Sequence, residues 1–207
     1  MRVLPILFNT EMVRAILDGR KMVTRRICKD GDDYTVPDMG FYSADRRTYA
    51  VHSYADIEYK NQLSLVERPC PICPGDVLYV RETWQECEWG YLYRAWPEGI
   101  HQTGTYKGMP WRPSIHMPKE AARIWLKVID VRVERLQDIT DEQAAKEGCD
   151  DYTSTALGFF NIWDSTIKKA DIGRYGWDAN PWVWVIEFSR CERPDENESA
   201  ELTARGR

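Results

Sequence analysis

A short basic segment, residues 19–26, carries the side chains of this 207-residue chain that could do chemistry. It contains a lysine, Lys21, and a hydroxyl three positions later, Thr24, among three arginines. A threonine hydroxyl attacks a carbonyl when a base takes its proton, and a lysine can be that base when burial lowers its pKa. On spacing alone, a solvent-facing lysine and an ordinary strand threonine are the favoured interpretation. Because the chain is acidic overall, with a net charge of −5, the segment nevertheless indicates a local site for an electron-rich ligand.

A carboxylate, Glu147, stands in the last turn of a predicted helix. The helix opens on a capping box at 140–143 and stops at Gly148. A carboxylate at the negative end of a helix is disfavoured, so a nearby cation would compensate it, and Lys21 is a candidate. On position alone, a solvated surface glutamate is the simpler interpretation.

Further candidate groups lie in residues 111–118, within a predicted long loop at 97–118. They offer a ring, a guanidinium, a hydroxyl and an imidazole, the groups that stack on and hydrogen-bond to a nucleobase. A lid packed for structural reasons fits this pattern equally well. Arg81-Glu82, in a predicted strand, suggests an ion pair orienting the site or an ordinary cross-strand pair. The predicted substrate-binding residues are Arg26, Arg81, Trp84, Trp111, Arg112, Ser114 and His116.

Two cysteines, Cys70 and Cys73, have the spacing of a zinc knuckle, for which Cys28 or Cys87 is the candidate further ligand. No second pair with matching spacing follows, so we predict no metal and no cofactor. Six cysteines without a signal peptide or a long apolar run indicate cytoplasmic thiols and no membrane segment.

Composition and pattern predict a single α+β domain over 1–191, with an insertion at 29–69 and a disordered tail at 192–207. The negative net charge argues against coating long nucleic acid through bulk charge. Helices are predicted at 10–18 and 153–169, and a hairpin in the insertion. The predicted strands, which suggest a small, mainly antiparallel barrel with peripheral helices, are 22–28, 77–84, 123–136 and 181–188.

Three motifs follow the first helix, and their order along the chain carries a family resemblance. Residues 19–26 read Gly-Arg-Lys-x-x-Thr-x-Arg, residues 74–82 read Pro-Gly-Asp-x-Leu-x-Val-Arg-Glu, and residues 140–147 read Thr-x-x-x-Ala-x-x-Glu. This order resembles the ASCH family, whose barrel is similar to the PUA domain. The longer form, with 111–118 and 180–182, resembles ASCH proteins encoded in bacteriophages and prophages.

The resemblance implies an activity. Small bacterial members are amidohydrolases that remove the acetyl group from N4-acetylcytidine with a lysine, a threonine and a glutamate, which match Lys21, Thr24 and Glu147. The implied function is a metal-independent amidohydrolase acting on an N4-acylated or otherwise modified cytidine or pyrimidine nucleoside. Lys21 would activate Thr24, and Glu147 would orient Lys21 or carry the proton to the leaving amine. Arg26 and Arg112 are candidates to stabilise the oxyanion or hold the substrate.

The chain also departs from those small enzymes. It is roughly twice as long, and regions 29–69 and 97–118 have no equivalent in them. The substrate can therefore differ, and the rival function is a non-catalytic module that binds RNA or a modified base. A third is a phage accessory protein acting through a protein partner, which predicts an exposed apolar patch.

Overall fold

The structure is a computed structural model that describes residues 1–28, 36–43, 48–53, 64–88, 90–95, 110–149 and 156–194. The predicted loop 97–118 is therefore described from residue 110, and the predicted tail 192–207 only as far as residue 194. The remainder of both, and the predicted helix start at 153, lie outside these ranges.

Ten strands and four α-helices are defined in this part of the chain. The strands are β1 (Val3–Leu7), β2 (Val23–Ile27), β3 (Val36–Ser43), β4 (Thr48–Ser53), β5 (Ser64–Pro69), β6 (Val77–Arg81), β7 (Trp84–Cys87), β8 (Gly90–Tyr93), β9 (Trp125–Arg135) and β10 (Trp182–Cys191). The helices are α1 (Thr10–Leu17), α2 (Asp141–Lys146), α3 (Ala156–Thr166) and α4 (Ile172–Tyr175).

The chain divides into two compact units. Unit 1 comprises Met1–Met22, Gly75–Val128 and the chain from Phe188 onward, and unit 2 comprises Val23–Pro74 and Ile129–Glu187. Both units are discontinuous in sequence. The single domain over 1–191 and its insertion at 29–69 remain predictions.

Unit 1 is organised by strands β1 and β6, which pair in parallel. On its other side β6 pairs antiparallel with β9, where Leu78 lies opposite Leu126. Helix α1 begins as predicted, because the Asn9 side chain accepts a hydrogen bond from the Met12 N–H at 2.8 Å. Gly19 follows the helix with φ +75°, a conformation that favours glycine.

The predicted strand 77–84 is in fact two separate strands. Strand β6 ends at Arg81, and β7 starts at Trp84 and pairs with β8 in a two-stranded antiparallel sheet. Between them, the Glu82 N–H donates to the Met117 sulfur at 3.2 Å instead of to a neighbouring strand. Three polar residues, 81–83, separate the apolar run 77–80 from Trp84, and they were the sequence signal for the break.

Unit 2 contains the antiparallel pair β2 and β10, in which Thr24 lies opposite Ile186 and Arg26 opposite Trp184. Strands β3, β4 and β5 form a three-stranded antiparallel sheet where the sequence predicted a hairpin. A buried cluster fills the core of this unit and includes Val23, Leu136, Phe159, Trp163, Val183 and Val185. Its apolar residues come from the strands and from α3 together.

The largest sheet has five strands in the order β1-β6-β9-β10-β2. It combines parallel and antiparallel pairs and is joined by helices, so the fold is α+β as predicted. The sheet is open in the described ranges, and closure into a PUA-like barrel therefore remains a prediction.

The predicted helix at 153–169 is also shorter than expected. Helix α3 ends at Thr166, where the hydroxyls of Ser165 and Thr166 donate to backbone carbonyls three residues earlier, each at 2.7 Å. The short helix α4 follows as a separate element. Within the ranges that the structure describes, no helix has both the length and the apolar character needed to cross a membrane.

Helix α2 opens on the predicted capping box. The Thr140 side chain accepts from the Gln143 N–H, and the Gln143 side chain accepts from the Thr140 N–H at 3.2 Å. We expect Thr140→Ala to lower the free energy of unfolding by about 1 kcal/mol, because an N–H in the first turn loses its acceptor. Urea denaturation measures this, and a loss below about 0.3 kcal/mol would show that the box contributes little.

Candidate active site

Strand β2 carries the hydroxyl and two of the arginines of the basic segment. Thr24 is buried, with 1% of its surface exposed, and Arg26 is partly buried. Side chains alternate along a strand, so Thr24 and Arg26 share one face of the sheet with their partners Ile186 and Trp184. Thr24 is therefore a strand threonine, as the simpler interpretation of the spacing has it, and its side chain is buried.

Arg25, between them, is fully buried and holds the carboxylate of Glu147. Its Nη1 donates to Glu147 Oε1 at 3.0 Å, and its Nη2 donates to Gln143 Oε1 at 2.8 Å. The carboxylate of Glu134 lies 3.5 Å from Nη2, and the guanidinium carbon lies 5.7 Å from the centre of the Phe159 ring. Gln143, a member of the capping box, thus also contacts this ion pair.

Glu147 is the C-terminal cap of α2, directly after Lys146. Its N–H donates to the Gln143 carbonyl at 3.0 Å, and Gly148 follows with φ +87°. Only 6% of Glu147 is exposed, so the solvated surface glutamate is wrong. The predicted compensation by a cation is present, and Arg25 supplies it. Sequence reasoning missed Arg25, although the tandem arginines at 25 and 26 were a signal.

Arg26 lies near the same carboxylate but in a different environment. Burial lowers the pKa of the Arg26 guanidinium below its ordinary value, and the negative charge of Glu147 opposes that shift. The carboxylate therefore acts on two consecutive arginines of β2. It neutralises one by a direct ion pair and stabilises the charge of the other.

Arg26 also lines a cavity of about 270 Å³. The other lining residues are apolar or aromatic: Ile27, Pro71, Ile72, Val131, Trp184 and Ile186. Two of them, Trp184 and Ile186, are the β10 partners of Arg26 and Thr24. Trp184 was not among the predicted site residues. The alternation of tryptophan and valine at 182–185 was the sequence signal for the sheet face on which Trp184 lies.

Lys21, in unit 1, is buried rather than solvent-facing, with 2% of its surface exposed. Its backbone N–H donates to the Ala15 carbonyl at 2.9 Å, directly after α1. Its ammonium nitrogen lies 5.6 Å from the centre of the Phe8 ring, a cation–π contact. Burial meets the first condition for a lysine that acts as a base.

The segment 110–118 is anchored in unit 1. Arg112 forms a β-bridge with Trp84, and its guanidinium carbon lies 5.0 Å from the centre of the Trp84 ring. Arg112 also pairs with Glu86 at 3.4 Å, and Tyr91 contacts the Trp84 ring edge-on. These contacts fix the segment on the β7–β8 hairpin.

Arg81 and Glu82 do not pair with each other. Arg81 Nε donates to the Met117 carbonyl at 2.8 Å, and its Nη2 donates to the Ile115 carbonyl. The buried Glu82 carboxylate instead accepts from Arg123, at 2.9 and 3.0 Å. Both suggested pairings of Arg81 with Glu82 are thus replaced by contacts that hold the 110–118 segment and the start of β9.

The remaining predicted residues of this segment lie near the surface. Trp111 is 39% exposed, His116 is exposed and Ser114 is partly buried at the start of a short 3₁₀ turn. Substrate binding by Arg26, Arg81, Trp84, Arg112 and these three residues remains a prediction.

The two closely spaced cysteines form a tight turn directly after β5. The Cys70 thiol donates to the Ile72 carbonyl at 2.8 Å, and the Cys73 thiol donates to the Cys70 carbonyl at 3.5 Å. No group of three or more metal-ligating side chains occurs in the part of the chain that is described. The turn places Pro71 and Ile72 in the wall of the cavity.

No family model matches this sequence, and no curated protein matches it. Among solved structures, the chain is similar to an ASCH domain from Lactobacillus crispatus JV V101, with 10% sequence identity and a TM-score of 0.45. The match covers 91% of this chain and 79% of that one. ASCH is the family that the motifs of this sequence resemble.

Proposed function

We propose that this chain is a metal-independent amidohydrolase that acts on an N4-acylated or otherwise modified cytidine or pyrimidine nucleoside. One observation supports this most directly. Strand β2 presents the buried hydroxyl of Thr24, and at the next position Arg25 holds the buried carboxylate of Glu147. A hydroxyl that can act as a nucleophile and a carboxylate that is held in place are residue types that an acyl-transfer site needs.

In this reaction the Thr24 oxygen attacks the amide carbonyl and its proton passes to Lys21, the general base that the family resemblance provides. The carbon–nitrogen bond breaks, the amine leaves with a proton, and the acyl group stays on Thr24 as an ester. Water then attacks the ester, which releases the carboxylic acid and restores the hydroxyl. The guanidinium of Arg26, on the same face of β2 as Thr24, is a suitable donor to the oxyanion.

Glu147 enters this scheme as an anion. Its carboxylate accepts a charge-assisted hydrogen bond from the Arg25 guanidinium, which suits an orienting or proton-accepting group. Both roles that the sequence analysis gives to Glu147, orienting Lys21 and carrying a proton to the leaving amine, begin from an ionised carboxylate.

A non-catalytic module that binds RNA or a modified base is the second candidate. The cavity beside Arg26 favours it, because an indole ring and a guanidinium are groups that bind bases without chemistry. Such a module needs the cavity but has no need of a reactive Thr24.

Both candidates are tested by incubating the protein with acylated and methylated nucleosides, free and within RNA, and analysing the products by mass spectrometry. We expect N4-acylated cytidine to give the parent nucleoside and the free acid. Thr24→Ala should abolish the reaction, and Ser165→Ala, which removes an exposed hydroxyl, should leave it unchanged. Binding without turnover would establish the base-binding module, and neither binding nor turnover would contradict both proposals.

A further inference from the structure

One carboxylate on β9, that of Glu134, lies between two arginines of unit 2. Its Oε2 is 3.5 Å from Arg25 Nη2, and its Oε1 accepts a hydrogen bond from Arg132 Nε. Arg132 and Glu134 are two positions apart on β9, so their side chains share one face of the strand. Glu134 is therefore a second carboxylate within reach of the guanidinium that holds Glu147.

One edge of the Arg25 guanidinium, formed by Nε and Nη2, is incompletely bonded. Nη2 donates to Gln143 at 2.8 Å, whereas the buried Nε has no hydrogen-bond partner in the part of the chain that is described. A carboxylate fits such an edge with two parallel hydrogen bonds, as Glu82 does on Arg123 at 2.9 and 3.0 Å. Because a buried N–H without an acceptor is costly, a carboxylate that can reach Nε is stabilised by binding there.

Arg132 keeps Glu134 away from that edge. Besides binding Glu134, its Nη1 donates to Glu187 at 2.5 Å and to Asp130 at 3.3 Å. Burial alone would lower the pKa of the Arg132 guanidinium, but the hydrogen bonds and charges of Glu134 and Glu187 raise it overall. A cation that three carboxylates hold in place is a fixed anchor, so Glu134 stays with Arg132 and does not move to Arg25.

We infer that Arg132 is a positioning residue for the proposed reaction. It binds Glu134 and so prevents that carboxylate from competing for the Arg25 guanidinium, which holds Glu147. Without Arg132, Glu134 moves onto the Nε–Nη2 edge and displaces Gln143. The guanidinium then turns away from Glu147. The inference rests on the proposed function for the role of Glu147, but the partner of Arg25 can be observed without turnover.

Kinetics test the inference through a second substitution that restores activity. Arg132→Met should lower kcat for an N4-acylated cytidine about 3- to 30-fold with little change in KM, because a positioning group acts on the reaction step and not on substrate binding. Adding Glu134→Gln, which removes the competing charge, should restore most of the lost kcat. Arg132→Lys, which keeps a cation, should lose less than Arg132→Met.

Two controls separate this role from general damage to unit 2. Arg132→Met/Glu187→Gln also neutralises a carboxylate that Arg132 binds, but the ion pairs of Glu187 among the described residues do not include Arg25, so kcat should not recover. Arg174→Met removes an exposed arginine of the same unit and should leave kcat unchanged. Circular dichroism establishes that each variant is folded, and Arg132→Lys remains a test if Arg132→Met is not.

The partner of Arg25 is observed directly in the nitrogen-15 NMR signals of its guanidinium, which are assigned by their loss in Arg25→Lys. These signals should shift in Arg132→Met and return when Glu134→Gln is added. Unchanged signals in Arg132→Met, or a loss of kcat that Glu134→Gln does not relieve, would overturn the inference. The proposed function fails separately, since no turnover by the unmodified chain would contradict the hydrolase. The NMR signals would still decide whether Arg132 determines the partner of Arg25.

Discussion

Replacing Thr24 by alanine is expected to lower kcat for an N4-acylated cytidine by about 1,000-fold or more, because the proposed ester intermediate can no longer form. Lys21→Ala and Glu147→Gln should each cost about 100- to 10,000-fold, the range for loss of a group that moves or orients a proton. Steady-state kinetics, with product quantified by mass spectrometry, measures these losses.

The three substitutions should also be far from additive. Groups that act as one unit lose most of their effect when any member is removed, so the double variants should be little slower than the worst single variant. Thr24→Ser, which keeps a hydroxyl, should retain measurable turnover where Thr24→Ala does not. Losses that simply multiply, or equal activity in the serine and alanine variants, would contradict the assigned roles.

Folding should survive these substitutions. Thr24→Ala removes few atoms, and Glu147→Gln keeps an oxygen that can accept from Arg25. The Glu134 carboxylate, 3.5 Å from Arg25, continues to balance the buried guanidinium in the glutamine variant. A loss of activity can therefore be separated from a loss of structure by circular dichroism.

Local signals predicted the elements that depend on near neighbours. The capping box at 140–143 and the helix stop at Gly148 each involve groups a few residues apart, and each is present. Strands β9 and β10 were predicted from their apolar pattern, with differences of a few residues at their ends.

The sequence alone did not predict the contacts between residues that are far apart in the chain. Arg25 and Glu147 are 122 positions apart, and Glu82 and Arg123 are 41 apart, so each pair depends on strand register and helix placement. From the sequence alone, Lys21 was the candidate cation for Glu147, and Arg81 and Glu82 were the candidate pair. The cavity was missed for the same reason, because its wall at Pro71–Ile72 comes from a different part of the chain than Arg26 and Trp184.

Removal of one partner of the ion pair between Arg25 and Glu147 should destabilise unit 2. Arg25→Met leaves the Glu147 carboxylate buried without its guanidinium, and removal of one partner of a buried pair typically costs about 3–5 kcal/mol. We expect the free energy of unfolding, measured by urea denaturation, to fall by about that amount. The control Arg14→Met changes a surface pair, in which the side chains are 39% and 77% exposed, and should cost less than about 1 kcal/mol.

The double variant Arg25→Met/Glu147→Leu separates the pair from its surroundings. With both charges removed, no carboxylate is left buried without the Arg25 guanidinium, so the double variant should be more stable than Arg25→Met alone. The remaining loss would report on Gln143 and Glu134, which also contact Arg25. If Arg25→Met were as stable as the unmodified chain, or if adding Glu147→Leu made it less stable, the pair would not be what holds Glu147 beside β2.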